Sequence, residues 1–258
     1  MISVVKVGGN VVDDPLLLAD FLDKFSQLDG VKVLVHGGGK IASEVSASLG
    51  LKPQMVDGRR ITDARTLDVV TMVYAGLVGK RLVAALQSRG CNALGLSGAD
   101  ANLICGAKRA ATPVDYGFVA DLSSDSVNVP MLRVLIDGGI TPVFSAIVHD
   151  GAGQLLNCNA DTVASSLAIA LSACSPVRLI YCFEKRGVLR DVNDESSVIS
   201  RISYAEYQGL KSSGVIAKGM IPKLQNAFDA LHRGVASVII TQAENVRCSA
   251  TGTLLTVQ

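Results

Sequence analysis

Val33-Leu34-Val35-His36-Gly37-Gly38-Gly39 is an apolar run that ends abruptly in glycine, and Val4-Val5-Lys6-Val7-Gly8-Gly9-Asn10 has the same pattern nearer the start of the chain. Each run predicts a buried parallel strand. Glycine at the strand end lets backbone N–H groups approach an anion, because no Cβ blocks the way. Two such loops on neighbouring strands indicate two anionic groups held together, the geometry needed to move a phosphoryl group between two negatively charged substrates.

The composition is typical of a large α/β protein. The 258 residues are 49% hydrophobic and include 25 glycines but only 4% aromatic residues, and small aliphatic side chains suit helices packed closely on a sheet. We predict two lobes, residues 1–173 and 174–258, that share one sheet because no flexible linker separates them. The predicted strands are 2–7, 31–35, 92–96, 140–148, 177–182, 235–241 and 253–257, and the predicted helices are 15–28, 40–49, 64–89, 129–138, 160–172, 203–213 and 222–233.

Charge and cysteine usage argue against several classes of function. The net charge of +1 offers no electrostatic argument for nucleic acid or an anionic membrane surface. We expect no membrane span, since no apolar run approaches roughly 20 residues, and no targeting peptide, since the chain begins with a strand. The six cysteines form no CxxC pair and do not cluster with the three histidines. They are expected to be reduced, as in a cytoplasmic protein, and no metal site is predicted.

Two lysines stand where a positive charge is costly. Lys6 lies inside an apolar strand, and lysine is rarely buried without a partner. Lys223 follows Pro222 at the start of a helix, where a cation opposes the helix dipole. Each suits an ammonium directed at a phosphate. The alternatives are a strand-edge lysine whose head reaches water for Lys6 and a surface position for Lys223.

Other polar segments offer groups for a substrate. The three glycines after His36 precede a helix, so backbone amides and the helix dipole can form an anion site, although the chain lacks both the P-loop and the GxGxxG pattern. Arg59-Arg60 can grip a carboxylate or belong to a solvated loop. Asn159 suits a helix cap, with Asp161 in the first turn, but a cap does not explain Asn157. Both amides point the same way on an extended segment, so they can hold the polar backbone of an amino acid while Asp161 orients nearby lysines.

Five motifs, in order, resemble the amino acid kinase family over nearly the whole chain. They are Lys6-Val7-Gly8-Gly9, His36-Gly37-Gly38-Gly39, Asp57-Gly58-Arg59-Arg60-Ile61-Thr62, Asn157-Cys158-Asn159-Ala160-Asp161 and Gly219-Met220-Ile221-Pro222-Lys223. The resemblance implies a three-layer αβα sandwich with an open, mainly parallel sheet, like that of carbamate kinase. It also implies a cytoplasmic enzyme of arginine biosynthesis that uses ATP, with Mg²⁺ carried by the nucleotide, to phosphorylate the γ-carboxylate of N-acetyl-L-glutamate.

The resemblance also implies roles for particular residues. Lys6 and Lys223 would stabilise the phosphoryl group in transit, and Asp161 would hold both lysines. In the N-terminal lobe, the residues implied in acyl-glutamate binding are Gly38, Gly39, Arg60, Asn157 and Asn159. The residues implied in nucleotide binding, mostly in the C-terminal lobe, are Gly8, Gly9, Glu184, Lys185, Arg186, Gly187, Val188, Val215, Ile216 and Ala217.

One segment departs from the family pattern. Phe183-Glu184-Lys185-Arg186-Gly187-Val188 stands where the family has Ser/Thr-Asp-Val-x-Gly-Val/Ile. The added charges of Lys185 and Arg186 can engage phosphates or belong to a solvated loop.

Two alternatives concern the substrate and the activity. The first is that the substrate is N-succinyl-L-glutamate. Its extra carboxylate would need an extra cation, for which Lys52, Arg59 and Lys108 are candidates. A non-catalytic ligand-binding protein is the second, but retention of both lysines and Asp161 argues against it.

The long helix at 64–89 is expected to form a homodimer contact. Gly76 and Gly79 give it a seam of small residues suited to an isologous interface. The chain begins at its first strand, without the N-terminal helix that links dimers in arginine-inhibited relatives, so we expect a homodimer that arginine does not inhibit.

Overall fold

An eight-stranded sheet forms the centre of the molecule in this computed structural model, which describes residues 1–56, 58–216, 220–248 and 251–257. The strands of this sheet are β1 (Ile2–Val7), β2 (Val31–His36), β5 (Ala93–Leu96), β8 (Thr141–Ser145), β11 (Val177–Phe183), β12 (Arg201–Ser203), β13 (Ser237–Gln242) and β14 (Thr253–Thr256). Three short two-stranded sheets are formed by β3 (Met55–Val56) with β4 (Arg59–Arg60), β6 (Ala107–Lys108) with β7 (Ala120–Asp121), and β9 (Ile147–His149) with β10 (Leu155–Asn157).

The central sheet has the order β12-β14-β13-β11-β1-β2-β8-β5, and every neighbouring pair is parallel except β13 and β14. Strand β1 pairs with β11, so the sheet runs without a break across the predicted lobe boundary at residue 173. Strand β1 is therefore central, and Lys6 is buried in the sheet. The strand-edge interpretation of Lys6 is excluded.

Helices cover both faces of the sheet, as the sequence predicts. One face carries α1 (Gly9–Asp13), α2 (Pro15–Ser26), α3 (Gly39–Ser48), α4 (Ala64–Thr71) and α5 (Gly79–Gln87). The other carries α6 (Val129–Asp137), α7 (Ala160–Ser172), α8 (Tyr204–Ser212) and α9 (Ile221–His232). Because side chains alternate along a strand, Lys6 shares its face of the sheet with Ile2 and Val4, which pack in the core of the α7 and α9 layer.

The predicted strand 140–148 is wrong in one respect that shapes the site. The chain leaves the central sheet after Ser145, and β9 pairs antiparallel with β10 instead. The carbonyl of Ala146 at this break accepts the N–H of Cys158 at 3.0 Å. The break therefore brings the segment around Asn157 to the end of β8.

The predicted helix 64–89 is one helix, Ala64–Gln87, whose middle turns, Met72–Val78, are π-helical. It is long and apolar enough to span a membrane by length and composition, which the sequence interpretation overlooked, but Leu67, Val70 and Leu82 bury one side of it in the core. The predicted seam of small residues at Gly76 and Gly79 is also wrong in part. Gly79 is buried, with its Cβ position 3.6 Å from the His36 ring, so only Gly76 lies towards the outer side.

Candidate active site

Asp161 lies between the two lysines that the sequence singled out. Its Oδ1 is 2.8 Å from Lys6 Nζ, and its Oδ2 is 3.6 Å from Lys223 Nζ. The side chains of Asp161 and Lys6 are 9% and 8% exposed, and that of Lys223 is 29% exposed. Since a buried charge is tolerated only with a partner, these three residues form one electrostatic unit.

Three elements bring this unit together. Lys6 comes from β1, Asp161 from the first turn of α7, and Lys223 from the first turn of α9. Asn159 caps α7, because its Oδ1 accepts the N–H of Asp161 at 2.7 Å. The cap interpretation of Asn159 is therefore correct, and the cap fixes the backbone of Asp161.

Burial and charge act in opposite directions on Asp161 and Lys223. Burial disfavours the charged form of Asp161, but the ammonium groups of Lys6 and Lys223 outweigh it and hold the pKa of Asp161 below its ordinary value. Burial also lowers the pKa of Lys223, and the nearby charge of Lys6 adds to this, while Asp161 offsets part of the effect. Asp161 is thus a carboxylate at neutral pH.

A first cavity lies beside this unit, and its lining residues all belong to the range 1–173. Its lining includes Lys6, Gly38, Gly39, Arg59, Arg60, Tyr74, Arg109, Asn157, Asn159 and Asp161. All five residues predicted to bind the acyl-glutamate are therefore brought together. Of the candidate cations for a longer acyl group, Arg59 lines this cavity, whereas Lys52 and Lys108 are exposed and are not part of its lining.

Apart from Asp161 Oδ1, which pairs with the Lys6 ammonium, two buried polar atoms in this lining have no hydrogen-bond partner among the residues that the structure describes. They are Arg60 Nη1 and Asn157 Oδ1. The other terminal nitrogen of Arg60 donates to the Gly39 carbonyl and to Ser43 Oγ, both at 2.8 Å, and Asn157 Nδ2 donates to Thr62 Oγ1 at 3.1 Å. Both side chains are thus fixed at one end. A donor and an acceptor remain for a ligand, since buried polar groups normally have partners.

The glycine turn at the start of α3 is held by its neighbours. Gly38 has φ of 155°, and a Cβ there would lie 3.0 Å from the Tyr74 ring, so the close packing of Tyr74 requires glycine. His36, just before the turn, is fully buried, and burial lowers its pKa to about 4. It is therefore neutral at pH 7. Its Nδ1 lies 2.8 Å from the Gly37 carbonyl, to which it donates as N–H.

A second cavity lies on the other side of Lys6. It is lined by Lys6, Gly8, Gly9, Asn10, Phe183, Glu184, Lys185, Gly187, Met220 and Lys223. A Cβ at Gly9 would meet nothing within 4 Å, whereas one at Gly8 would lie 3.2 Å from Phe183 Cδ1. Gly9 therefore borders open space, and Gly8 allows the loop to pack against Phe183.

The predicted nucleotide residues are only partly brought to this cavity. Lys185 lines it and forms an ion pair with Glu195 at 2.7 Å. Among the described residues, Arg186, Val188, Val215 and Ile216 are not part of its lining: Arg186 and Val215 are exposed, Ile216 is buried, and Val188 is buried with its N–H bonded to Thr253 Oγ1. Ala217 lies outside the described residues.

Sequence reasoning missed Tyr74 and the position of Phe183. Tyr74 lies within the predicted helix 64–89, and the π-helical turns that direct it to Gly38 have no simple sequence pattern. In the sequence, Phe183 is part of the segment that departs from the family pattern. Its ring centroid lies 4.9 Å from Lys6 Nζ and 3.9 Å from Lys223 Nζ. An aromatic residue at the end of a central strand, beside a glycine loop, was the available signal.

Across residues 1–56, 58–216, 220–248 and 251–257, no three His, Cys, Asp or Glu side chains come together as a metal-binding group.

Known proteins are similar to this chain in sequence and in fold. The amino acid kinase family matches residues 1–242. The acetylglutamate kinase of Cytophaga hutchinsonii is 56% identical over 244 residues, which cover 94% of this chain and 92% of that protein. The acetylglutamate kinase of Bacteroides fragilis is 53% identical over 245 residues, covering 95% and 93%. The structure of carbamate kinase from Giardia lamblia superposes with a TM-score of 0.69 at 16% identity, covering 100% of this chain and 98% of that one.

The family match spans most of the chain, the relatives exceed half identity over nearly its full length, and the parallel sheet between two helical layers is the expected architecture. The chain belongs to the amino acid kinase family.

Proposed function

We propose that this protein transfers the γ-phosphoryl group of ATP to the γ-carboxylate of N-acetyl-L-glutamate, the kinase step of arginine biosynthesis. The relatives named acetylglutamate kinase support this substrate. The observation that carries the proposal is the position of Lys6, which lines both cavities and shares Asp161 with Lys223. A phosphoryl group that passes from one cavity to the other must pass these ammonium groups.

The chemistry needs little more than placement and charge. A carboxylate is already a competent nucleophile, so no general base is required. Both reactants are anionic, and catalysis of phosphoryl transfer rests on positioning and on neutralising charge in the transition state. Lys6 and Lys223 supply that charge, and Asp161 keeps the two ammonium groups close without neutralising both.

The first cavity suits an N-acylated amino acid. Arg60 Nη1 can donate to the α-carboxylate, and Asn157 Oδ1 can accept the amide N–H of the acylamino group. The substrate would thus provide a hydrogen-bond partner for two atoms that have none among the described residues. The start of α3 at Gly39 directs backbone N–H groups and the positive end of a helix dipole at the γ-carboxylate. Gly38 keeps the turn open beside Tyr74. Asn159 acts mainly through its cap on α7.

The second cavity suits the phosphates of a nucleotide. Gly9 borders open space, and Lys6, Lys185 and Lys223 bring positive charge to the lining. ATP supplies the transferred group, and the Mg²⁺ that accompanies it adds charge on the phosphate oxygens. Residues 1–173 would then bind the acyl-glutamate, and residues 174–258 most of the nucleotide.

Assembly and location are part of the same proposal. Met72 is 55% exposed and Leu77 is 38% exposed on the helix that carries Gly76, and exposed apolar groups on one helix favour an isologous contact. We expect a cytoplasmic homodimer without nucleic-acid or membrane partners.

Release of ADP tests the proposed function. Purified protein is mixed with MgATP and either N-acetyl-L-glutamate or N-succinyl-L-glutamate, and hydroxylamine traps any acyl phosphate as the hydroxamate. We expect ADP and hydroxamate in equal amounts with the acetyl compound. Faster turnover of the succinyl compound would make that compound the substrate instead. Tight binding without ADP release from either would indicate a non-catalytic protein.

A further inference from the structure

The ring of Phe183 lies against both lysines of the site. Its centroid is 4.9 Å from Lys6 Nζ and 3.9 Å from Lys223 Nζ. An ammonium within about 6 Å of an aromatic ring centroid is attracted by the electron-rich face. Among the described residues, Phe183 is the aromatic side chain whose ring lies within this distance of both ammonium groups.

The ring is fixed by its surroundings. Phe183 ends β11, is 7% exposed, and stacks on Tyr181 with an interplanar angle of 3° and centroids 6.2 Å apart. The Tyr181 hydroxyl donates to the Asp161 carbonyl at 3.2 Å, which ties the stack to the residue that pairs with both lysines. Gly8 leaves room for the ring, since a Cβ there would lie 3.2 Å from Phe183 Cδ1.

Asp161 alone does not neutralise the two ammonium groups beside the ring. Lys6 and Lys223 repel each other, and Asp161 offers one negative charge to two cations. Glu184 is the other acidic group that acts on Lys223. Burial also opposes the charge on Lys223. The face of an aromatic ring attracts cations without adding a formal negative charge that would repel a phosphoryl group.

We propose that Phe183 is a positioning residue, whose ring face holds the ammonium groups of Lys6 and Lys223 side by side at the point where the two cavities meet. The inference rests on the proposed function for its catalytic consequence. The arrangement of ring and cations does not depend on it.

Stepwise fluorination of Phe183 tests the inference with little change of shape. Phenylalanine with one, two or three ring fluorines, introduced at position 183, removes electron density from the ring face. We expect kcat to fall with each fluorine, by about tenfold for the trifluoro ring, because the attraction between a ring and a partly exposed ammonium lies between that of an exposed and that of a desolvated pair. The KM for N-acetyl-L-glutamate should stay constant. The same series at Phe21, which packs against Phe25 in α2, is the control and should leave kcat unchanged.

A second readout separates this inference from the proposed function. Titration of ¹³Cε-labelled lysines by NMR should show the pKa of Lys223 falling with each fluorine at position 183 and staying constant in the Phe21 series. A flat response of that pKa would overturn the role of Phe183, whatever the substrate is. Absence of ADP release in the unmodified protein, with a pKa that does respond, would instead contradict only the proposed function.

Discussion

Lys6 on a central strand and Asp161 on the helix above it are joined by an ion pair of 2.8 Å that is almost closed to solvent. The pair lies where the two cavities meet, and Lys223 reaches the second carboxylate oxygen. Removal of one partner from such a buried pair leaves an uncompensated charge. In the proposed reaction the same group of side chains would therefore serve folding, substrate placement and charge neutralisation.

Arg60→Ala should mainly weaken binding of the acyl-glutamate. Arg60 is buried and lines the first cavity, and it would contact an end of the substrate whose charge does not change during reaction. Loss of such a contact should raise the KM for N-acetyl-L-glutamate by roughly thirtyfold or more, with a much smaller change in kcat. Steady-state kinetics measure this, with the exposed Arg65→Ala as the control. A raised KM for ATP alone would assign Arg60 to the other substrate.

Gly38→Ala and Gly39→Ala form a matched pair in one turn. An alanine at position 38 would have a positive φ, and its Cβ would lie 3.0 Å from the Tyr74 ring. The Cβ of an alanine at position 39 would lie 3.9 Å from its nearest neighbouring atom. We expect Gly38→Ala to lower the free energy of unfolding by about 1–3 kcal/mol, and Gly39→Ala to change it little. Urea denaturation measures both values. Equal stability of the two variants would show that the turn is not constrained by Tyr74.

The low pKa of His36 leads us to expect a loss of stability in mild acid. Its pKa is about 4 when folded, below the ordinary 6.5, so the unfolded chain binds the extra proton first as the pH falls. The contribution of His36 is therefore present above pH 6.5 and is lost between about pH 6.5 and 4, amounting to about 2 kcal/mol from pH 7 to pH 5. Denaturation at both pH values should show a smaller loss in His36→Gln than in the unmodified protein. The exposed His232→Gln is the control, and an identical loss in all three proteins would contradict the assignment.

Charges on the outer side of the long helix should separate a homodimer. Met72→Lys combined with Leu77→Lys places two cations on exposed positions of this helix. Light scattering should give twice the chain mass of 26.9 kDa for the unmodified protein and the single mass for the double variant. Leu16→Lys, at a position that is 83% exposed on α2, is the control. A double variant that keeps the dimer mass would place the interface elsewhere.

The parts of the site that depend on local sequence could be predicted, and the parts that depend on distant contacts could not. Gly9, Gly38 and Lys6 stand out because apolar strands that end in glycine form a short pattern. The end of β8 at Ser145 depends instead on pairing between β9 and β10. The approach of Phe183 to Lys223 joins the ends of β11 and α9, which no local pattern relates. Such contacts are decided by tertiary packing, which overrides local preference.

The most direct test of the account is the turnover of Lys6→Ala and Lys223→Ala, measured together with substrate dissociation constants by calorimetry. In the proposed mechanism both lysines act on charge that develops in the transition state, so each variant should lose on the order of a hundredfold or more in kcat. Binding of N-acetyl-L-glutamate should change far less. Thermal denaturation should show that both variants are folded. Near-normal turnover in either folded variant would contradict the claim that these two ammonium groups carry the phosphoryl transfer.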